Sequence, residues 1–478
     1  MRRPIKPFVY NRMKLKTGIV HIGIGNFHRA HQEFYLNKLA SEPREVNWGV
    51  CGIALLPSDE ALVNKLQRAN NEYTLTIYGR KGDVEVENIG SLVEVIWGVK
   101  EPEAALAKMA SSEVKIISMT ITEGGYNIDR KSGEFDFSNA LIEGDLKNPT
   151  NPKSVFGFVA EALRRRKQAD NGPITILSCD NLQHNGNTAK RAFMSFFEHQ
   201  DQELYEWAKE HVSFPNSMVD RIAPGVSEDD VKRINAENGT FDDAPVYCED
   251  YAAWVVEDNF IAGRPKLEKV GVLFTHNVEI YENMKLSLLN ASHTMLSYPA
   301  FLLGYRKVDE AMQDQRIIDY VRDFMDVDIT PYVLVPDDVS LDEYKQTLIE
   351  RFQNKNVSDQ LARLCFDGIS KIPVYIMPNL EKMIDDGANL NRVAFFVATY
   401  RHYLKYQKDD KGATYDVKEP WLTDHDINLL KSDNPLDFLD ASPFKTDVLV
   451  GSSNFVELYQ KYAEAIKRDG VAMVLTQL

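Results

Sequence analysis

The stretch TGIVHIGIGNFHRAHQEFYLNKLA, residues 17–40, decides the fold of this chain. It begins with an apolar run that has the length and the β-branched content of a buried strand. The run ends in Gly23-x-Gly25, and a pattern typical of a helix follows at once. A glycine turn that leads from a buried strand into a helix predicts the start of a dinucleotide-binding unit.

This glycine turn has two interpretations. Gly23 and Gly25 would let the main chain turn tightly and approach a pyrophosphate, whose charge the N-terminus of the following helix would stabilise. However, His28 stands where the fingerprint of such loops has a third glycine. Because motifs this short also occur in ordinary strand-to-helix turns, the pattern alone leaves both interpretations open.

Further β-rich runs follow, and the pattern changes near residue 277. The runs lie at 48–56, 73–79, 114–122 and 173–181, and several are apolar on both faces, as buried parallel strands require. Beyond the change, long amphipathic helical patterns dominate. We therefore predict an α/β chain with a Rossmann-type parallel sheet in an N-terminal NAD-binding domain, 1–276, and a mostly α-helical substrate-binding and catalytic domain, 277–478.

The composition limits the partners of the chain. A hydrophobic content of 44% is typical of a globular protein with a large core. The net charge of −16 opposes binding to nucleic acid or to an anionic membrane surface. The short basic run at 164–167 ends a helical pattern, where positive charge suits the helix dipole. We therefore expect neither nucleic acid nor a membrane among its partners.

Cysteine usage and the N-terminal segment point to a reducing compartment. The cysteines are scattered and form no CxxC pair, so neither a disulfide framework nor a thiolate zinc site is indicated. Residues 1–14 are basic but lack the apolar run of a signal peptide, and no stretch approaches the ~18 apolar residues of a membrane span. We expect a cytoplasmic protein that is a monomer or a small homo-oligomer.

Asp59 is the candidate for recognising the adenosine ribose of the dinucleotide. It follows the second β-rich run, and a carboxylate there accepts hydrogen bonds from free ribose hydroxyls and repels a 2′-phosphate. This favours NAD over NADP. After Pro57 and Ser58, Asp59 is equally suited to cap the next helix, and the two roles are compatible.

The segment YENMKLSLLNASH, 281–293, carries four polar groups in an otherwise apolar helical pattern. At roughly 100° of rotation per residue, Glu282, Lys285, Asn290 and His293 share about 140° of arc. A solvated stripe would give the same pattern, but the apolar neighbours indicate burial, where unpaired polar groups are costly. Oxidation of a secondary alcohol needs a base and donors for a developing oxyanion, and a desolvated lysine would be that base.

Two predicted strand ends carry further polar residues. SCDNLQHNG, 178–186, places Asp180, Asn181, His184 and Asn185 at the carboxyl edge of the sheet. TITEGGYN, 120–127, does the same for Glu123. Open α/β folds bind their ligands at that edge. Asn, Asp and Gly also dominate ordinary turns, so each segment alone is equally explained by local turn chemistry.

Several segments, taken in order, resemble the polyol-specific long-chain dehydrogenases. They are GIGNFHRAHQ, TITEGGY, SCDNLQHNG, SFPNSMVDRIAP and the spacing Lys285-x4-Asn290-x2-His293. The resemblance covers nearly the whole chain, and the ordered set is far more specific than any one motif. It implies a Rossmann-type domain, a helical domain, NAD, no metal, and interconversion of a sugar alcohol and its ketose, with D-mannitol and D-fructose as the expected pair.

The resemblance also implies roles for single residues. Lys285 would be the general acid/base, Asn181 and Asn290 would polarise the carbonyl, and His293 would position the substrate. Glu123 and Glu282 would lie near the proton route. The expected cofactor-binding residues are Gly23, Gly25, Phe27, His28, Arg29, Asp59, Glu123 and Asp220. The expected substrate-binding residues are Asn181, Lys285, Asn290, His293, Arg363 and Lys371. Without the resemblance, Arg363 and Lys371 would be interpreted as solvated helix charges.

Alternatives remain within the family. Fructuronate reductases and arabinitol dehydrogenases share the lysine and the asparagines, but TITEGGY and DNLQHNG look more like the mannitol and arabinitol enzymes. A uronate reductase would also need a cation for the substrate carboxylate. Where some relatives have two acidic residues after the second strand, this chain has Ser58 and then Asp59, which weakens the discrimination against NADP.

Three hypotheses lie outside the family. Tyr281-x-x-x-Lys285 matches the catalytic pair of short-chain dehydrogenases, but it comes far too late in the chain for that family. A zinc-dependent alcohol dehydrogenase would need a Cys/His ligand set, and the dispersed cysteines offer no convincing one. A nucleotide-sensing binding protein would need the glycine turn but not the lysine and the asparagines.

Overall fold

The computed structural model describes residues 3–129, 132–357 and 359–478. Its contacts divide the chain into two compact units, one up to Glu279 and the other from Ile280 to Leu478. Among the described helices, none is long and apolar enough to cross a membrane.

The first unit is built on a parallel sheet. The strands of the unit are β1 (Ile5–Lys6), β2 (Thr17–Ile22), β3 (Gly49–Ala54), β4 (Tyr73–Tyr78), β5 (Val84–Ile89), β6 (Leu92–Trp97), β7 (Ile116–Met119), β8 (Ile174–Ser178), β9 (Val212–Ser213), β10 (Ser217–Asp220), β11 (Val246–Glu249), β12 (Ala253–Glu257) and β13 (Leu273–Thr275). The central sheet has the order β6-β3-β2-β7-β8-β9, and all its strands are parallel. The order reverses direction between β2 and β7, as in doubly wound Rossmann folds, so the predicted fold class is confirmed.

Helices cover the sheet, and both of its faces are buried. The helices of this unit are α1 (Asn26–Ala30), α2 (Gln32–Leu39), α3 (Glu60–Arg68), α4 (Pro102–Ala110), α5 (Thr122–Gly125), α6 (Ala140–Lys147), α7 (Val155–Gln168), α8 (Asn185–Gln200), α9 (Gln202–His211), α10 (Glu228–Asn238) and the first residues of α11 (Val278–Lys285). Successive residues of β2, Ile19 and Val20, belong to different apolar clusters. Because side chains alternate along a strand, this explains why the run is apolar at every position.

Two smaller sheets complete the first unit. One has the order β1-β5-β4-β11 and the other β10-β12-β13. The predicted run at 73–79 forms β4, which pairs antiparallel with β5 and parallel with β11, so it lies outside the central sheet. The reason is local, because a tight turn with Gly82 at φ +88° returns the chain directly onto β4.

The second unit is helical, as the sequence predicts. After α11 come α12 (Ala291–Leu302), α13 (Val308–Ala311), α14 (Gln315–Asp323), α15 (Leu341–Phe352), α16 (Leu361–Cys365), α17 (Gly368–Tyr375), α18 (Met377–Asp385), α19 (Asn391–Tyr406), α20 (Asp424–Lys431), α21 (Asp447–Gly451), α22 (Ser453–Asp469) and α23 (Val471–Leu475). Helix α19 is buried along most of its length and packs against α12 and α22. It therefore forms the centre of this unit.

A carboxylate closes the N-terminus of α17. Glu419 Oε1 accepts from the main-chain N–H of Gly368 at 2.8 Å and from the hydroxyl of Tyr400 at 3.1 Å, and Oε2 accepts from the N–H of Ile369 at 3.3 Å. These bonds favour the ionised form. Burial outweighs them and raises the pKa of Glu419 to about 7.

We expect this group to make the stability of the protein depend on pH. Since its folded-state pKa is raised, the stabilising contribution is complete below pH ~4.5 and is lost as pH rises toward ~7. Such a shift corresponds to roughly 3 kcal/mol, which the partial exposure of Glu419 to solvent reduces. Glu419→Gln removes this loss, so relative to the parent it should gain about 2 to 3 kcal/mol between pH 4.5 and pH 8. Thermal unfolding midpoints of both proteins at the two pH values measure the difference. The exposed Glu457→Gln is the control, and an equal pH dependence in both variants would contradict the assignment.

Candidate functional site

The ends of four strands bring predicted cofactor-binding residues and one predicted catalytic residue to one edge of the central sheet. Strands β3, β2, β7 and β8 are parallel neighbours, so their carboxyl ends lie at the same edge. Gly23 and Gly25 follow β2, Asp59 follows β3, Glu123 follows β7 and Asn181 follows β8. Open α/β sheets bind their ligands at this edge.

The glycine turn has a geometry that only glycine allows. Gly23 has φ +97°, and a Cβ atom on it would lie 2.2 Å from the carbonyl oxygen of Thr120. The hydroxyl of Thr120 also donates to the carbonyl of Gly23 at 2.8 Å, which fixes the turn. In contrast, apart from Gly25 and the adjoining main chain, no described atom lies within 4 Å of the place that a Cβ of Gly25 would take. This open face of the main chain fits the close approach of a dinucleotide's diphosphate.

The side chains of His28 and Arg29 are engaged inside the first unit. His28 is 1% exposed, and its ring stacks on that of His21 with centroids 3.5 Å apart. Arg29 donates from Nη1 to the carbonyl of Ala244 at 2.5 Å and from Nη2 to Asn26 Oδ1 at 2.8 Å. Burial lowers the pKa of Arg29. These contacts give both residues a packing role, whatever part the main chain of this helix has in cofactor binding.

Phe27 and Asp220 have different surroundings. Phe27 is half-buried, and its ring stacks on that of His31 with centroids 5.0 Å apart. Asp220 is 4% exposed and ends β10, which pairs with β12 in a smaller sheet and not with a strand of the central sheet. The position of Asp220 is therefore set by the smaller sheet and not by the central one.

Asp59 is bonded to the turn that precedes it. Its Oδ2 accepts from the main-chain N–H of Leu56 at 3.3 Å, which closes the turn Pro57–Asp59. It makes no side-chain bond to the N-terminus of α3, so the expectation that it caps this helix is not met. Burial raises the pKa of Asp59, although the carboxylate keeps partial exposure to solvent.

Asp180 organises the turn that carries Glu123. Its carboxylate accepts from the main-chain N–H groups of Ile121 at 3.0 Å and Thr122 at 2.8 Å, and from the hydroxyl of Tyr126 at 2.7 Å. Thr122 has φ +64°, which a residue with a side chain rarely adopts without such support. The sequence predicted Asp180 at this edge of the sheet, but not that its carboxylate bonds the turn after β7.

In the second unit, Lys285 ends α11 and is followed by a π-helical turn, Leu286–Asn290. Hydrogen bonds in such a turn join residue i to residue i+5, so Asn290 lies closer to the helix face that carries Lys285 than it would in an α-helix. The arc predicted from the sequence assumed an uninterrupted α-helix. Lys285 is 7% and Glu282 is 4% exposed, which confirms that this helix is buried where these residues lie. Single π turns are frequently found at functional sites.

A buried hydrogen bond anchors the π turn. Asn379 of α18 donates from Nδ2 to Ser287 Oγ at 3.1 Å, and the two residues are 4% and 5% exposed. Ser287 lies within the π turn, between Lys285 and Asn290. Asn379 was not predicted, because nothing in the sequence marks a partner that far along the chain.

Asn290 and His293 lie one turn apart after the lysine. The main-chain carbonyl of Asn290 accepts from the hydroxyl of Thr294 at 2.9 Å. The side-chain oxygen of Asn290 is buried, and no described residue donates to it. The ring of His293 stacks on that of Phe352 with centroids 4.1 Å apart. The Asn290 amide therefore has hydrogen-bonding capacity left for a ligand.

Tyr281 is not placed to act as a base. Its hydroxyl donates to Asp338 Oδ1 at 2.8 Å, and burial together with Asp338 raises the pKa of Tyr281 to about 12. A tyrosine base working near neutral pH would need a lowered pKa. The geometry thus opposes the short-chain dehydrogenase hypothesis.

Arg363 and Lys371 are held by other groups of the second unit. Arg363 forms a two-bond ion pair with Asp359, whose Oδ1 accepts from Nε at 2.7 Å. Lys371 Nζ donates to the carbonyls of Arg363, Leu364 and Phe366, at 3.3, 3.1 and 2.6 Å. Burial and the charge of Arg363 lower the pKa of Lys371. Lys371 is therefore not a solvated helix charge. Arg363 does face solvent, since its side chain is 65% exposed.

Within the described ranges, no three His, Cys, Asp or Glu side chains are grouped so that they could hold a metal ion. The cysteines, which are Cys51, Cys179, Cys248 and Cys365, are all buried and free.

Two family models together match most of the chain. The model described as the mannitol dehydrogenase Rossmann domain matches residues 17–269, and that described as the mannitol dehydrogenase C-terminal domain matches residues 277–466. A polyol:NADP oxidoreductase of Gluconobacter oxydans is 40% identical over 422 residues, which is 88% of this chain and 86% of that protein. A mannitol 2-dehydrogenase of Neosartorya fischeri is 36% identical over 468 residues, 96% of this chain and 93% of that protein.

Solved structures are similar over the same length. A D-sorbitol dehydrogenase in substrate-free form has a TM-score of 0.93 at 37% identity, covering 98% of this chain and 97% of that one. The Pseudomonas fluorescens mannitol 2-dehydrogenase in a ternary complex with NAD and D-mannitol has a TM-score of 0.87 at 39% identity, covering 99% and 96%. The resemblance deduced from the ordered motifs is confirmed: this chain belongs to the mannitol dehydrogenase family.

Proposed function

We propose that this chain is an NAD-dependent oxidoreductase that interconverts a neutral sugar alcohol and its ketose, with D-mannitol and D-fructose as the principal pair. One observation carries the proposal: a buried lysine, Lys285, precedes a π turn that ends at Asn290, whose buried side-chain oxygen accepts from no described residue and can accept from a substrate hydroxyl. Family membership and the relatives' names support the class of substrate.

Lys285 is the proposed general acid/base. Desolvation favours the neutral form of an amine, and a neutral amine accepts the hydroxyl proton of the alcohol. As negative charge develops on the alcohol oxygen, the carboxamide N–H groups of Asn181 and Asn290 would stabilise it by donating hydrogen bonds. In the reverse direction Lys285 returns the proton to the carbonyl oxygen. His293 would hold a neighbouring hydroxyl of the substrate.

Glu282 and Glu123 are the proposed route of the proton to solvent. Glu282 lies three residues before Lys285 on α11, where i and i+3 side chains are neighbours. Glu123 is exposed at the carboxyl edge of the sheet, so it can exchange protons with water. A buried base needs such a relay to be regenerated in each catalytic cycle.

The glycine turn and Asp59 are proposed to hold the cofactor. NAD, when bound, supplies the hydride acceptor. The open main chain at Gly25 would receive the diphosphate, and Asp59 would accept from the ribose hydroxyls. One relative is named a polyol:NADP oxidoreductase, so family membership alone does not determine the cofactor. The proposed preference for NAD depends on the Asp59 carboxylate.

Lys285→Ala tests the chemistry. We expect kcat for D-mannitol oxidation to fall at least about 10²-fold, the low end of general acid/base contributions, while NADH affinity changes little. Absorbance of NADH gives the rate, and NADH fluorescence gives the affinity. The control is Lys382→Ala, which removes an exposed lysine of α18. Equal turnover in Lys285→Ala and the parent would reject the proposed base.

Asp59→Ser tests the cofactor preference. We expect the ratio of kcat/KM for NAD over NADP to fall about 10-fold or more, because charge-assisted hydrogen bonds to the ribose and repulsion of a 2′-phosphate are lost together. Glu60→Gln removes the same charge from the adjacent residue and should leave the ratio near that of the parent. An equal fall in both variants would assign the effect to net charge and not to Asp59.

Asn379→Ala tests whether the π turn positions the lysine. We expect kcat to fall about 10-fold with little change in the KM for NAD, because a misplacement of about 1 Å is enough for such a loss. Ser287→Ala should have the same effect, and the double variant should lose no more than either single one. Additive losses, or a change in KM alone, would show that Asn379 supports the fold and not the reacting group.

A further inference from the structure

Asp359 and Arg363 form an ion pair across one helical turn. Arg363 Nε donates to Oδ1 of Asp359 at 2.7 Å, and Nη2 donates to Oδ2. Oδ1 also accepts from the main-chain N–H of Gln360 at 2.9 Å, which fixes the carboxylate at the start of α16. The Asp359 side chain is 11% exposed and that of Arg363 is 65% exposed. The carboxylate is therefore set into the unit, while the guanidinium faces outward.

Both members of the pair remain charged. Burial alone would raise the pKa of Asp359, but hydrogen bonds and the charge of Arg363, with a smaller effect of His293, hold this pKa below its usual range. Asp359 raises the pKa of Arg363 in turn. The pair thus has no net charge. Helix α16, which carries Arg363, packs against α12, which carries His293 and follows directly on the π turn that ends at Asn290.

Lys371, the second cation expected near the substrate, is also satisfied. An ammonium group has three N–H donors, and Lys371 directs hydrogen bonds to three main-chain carbonyls at the end of α16. Arg363 keeps the Nη1 edge of its guanidinium, to which no described residue is bonded. The group available to a substrate is therefore the Nη1 donor of Arg363, which belongs to an ion pair without net charge.

We infer that Asp359 determines the class of substrate, by pairing with Arg363 so that the site accepts uncharged polyols and ketoses and disfavours uronates and aldonates. The inference rests on the proposed function. Hydroxyl groups can accept from the Nη1 edge without any change in the pair. A substrate carboxylate would meet the opposing charge of Asp359 close to the guanidinium that it needs, and such repulsion is an effective means of discrimination.

The test compares D-fructose with D-fructuronate as substrates for reduction by NADH. In the parent we expect D-fructose to be preferred. In Asp359→Asn the guanidinium is no longer neutralised, so kcat/KM for D-fructuronate relative to D-fructose should rise at least about 10-fold, as expected for a charge-assisted hydrogen bond. Asp359→Glu retains the charge and is the matched control, with a ratio close to that of the parent.

A double variant shows whether the gain acts through Arg363. Asp359→Asn combined with Arg363→Gln should return the ratio to near that of the parent, because no guanidinium is left to receive the carboxylate. If Asp359→Asn does not fold, as judged by circular dichroism, Asp359→Ser removes the same charge with a smaller side chain. Weak competitive inhibition of the parent by D-gluconate, and stronger inhibition of the charge-removing variant, gives a second measure of the same preference.

The outcomes separate this inference from the proposed function. If the parent reduces D-fructose but the ratio is unchanged in Asp359→Asn, the role of Asp359 is wrong and the proposed function stands. If the ratio rises equally in the double variant, Asp359 acts without Arg363, and the pairing argument is overturned. If the parent prefers D-fructuronate, the pair does not exclude carboxylates. If the parent reduces neither substrate and oxidises no polyol, the proposed function fails and the inference fails with it.

Discussion

The π turn after Lys285 depends on support from outside its own helix. A turn with i to i+5 bonding is rarer than an α-helical one and is retained where neighbouring groups hold it. Here the buried bond between Asn379 and Ser287 provides this support. In an uninterrupted α-helix Asn290 would lie about 140° round the helix axis from Lys285, and the wider turn reduces this angle. The position of Asn290 relative to Lys285, the proposed base, thus depends on the π turn, and the hydrogen bond from α18 is one contact that holds this turn.

In the first unit, close main-chain contacts hold the turns at the carboxyl edge of the central sheet. Gly23 lies so near the carbonyl of Thr120 that no side chain fits, and the carboxylate of Asp180 bonds the main chain of the next turn along the edge. Both features order the turns that follow β2 and β7. A flexible loop in the same place would become ordered only when the ligand binds. An edge ordered in advance loses less conformational entropy when a dinucleotide binds.

The sequence predicted the fold well because the relevant signals are local. Ile19 and Val20 belong to different apolar clusters, and a strand buried on both faces is readable as a continuous apolar run. Pairings between distant segments were not readable. β4 lies in a separate sheet, paired with β5 and β11, and Asn379 bonds to Ser287 across 92 residues. The π turn was also not predicted, so the arc of the polar residues was calculated for a regular α-helix. Asp359 was missed because a single aspartate near a helix start is ordinary.

The ion pair of Arg363 also bears on why a site for neutral sugars would contain cations at all. A polyol is recognised through many hydroxyl groups, and a guanidinium supplies several donors in a rigid plane. An unpaired guanidinium beside an uncharged substrate would lose hydration without gaining an opposite charge. Asp359 supplies that charge from within the unit, so the donors are kept while the cost of desolvating them is reduced. Two relatives that share the lysine and the arginine could therefore accept substrates of different charge, because only one of them has an aspartate paired with that arginine.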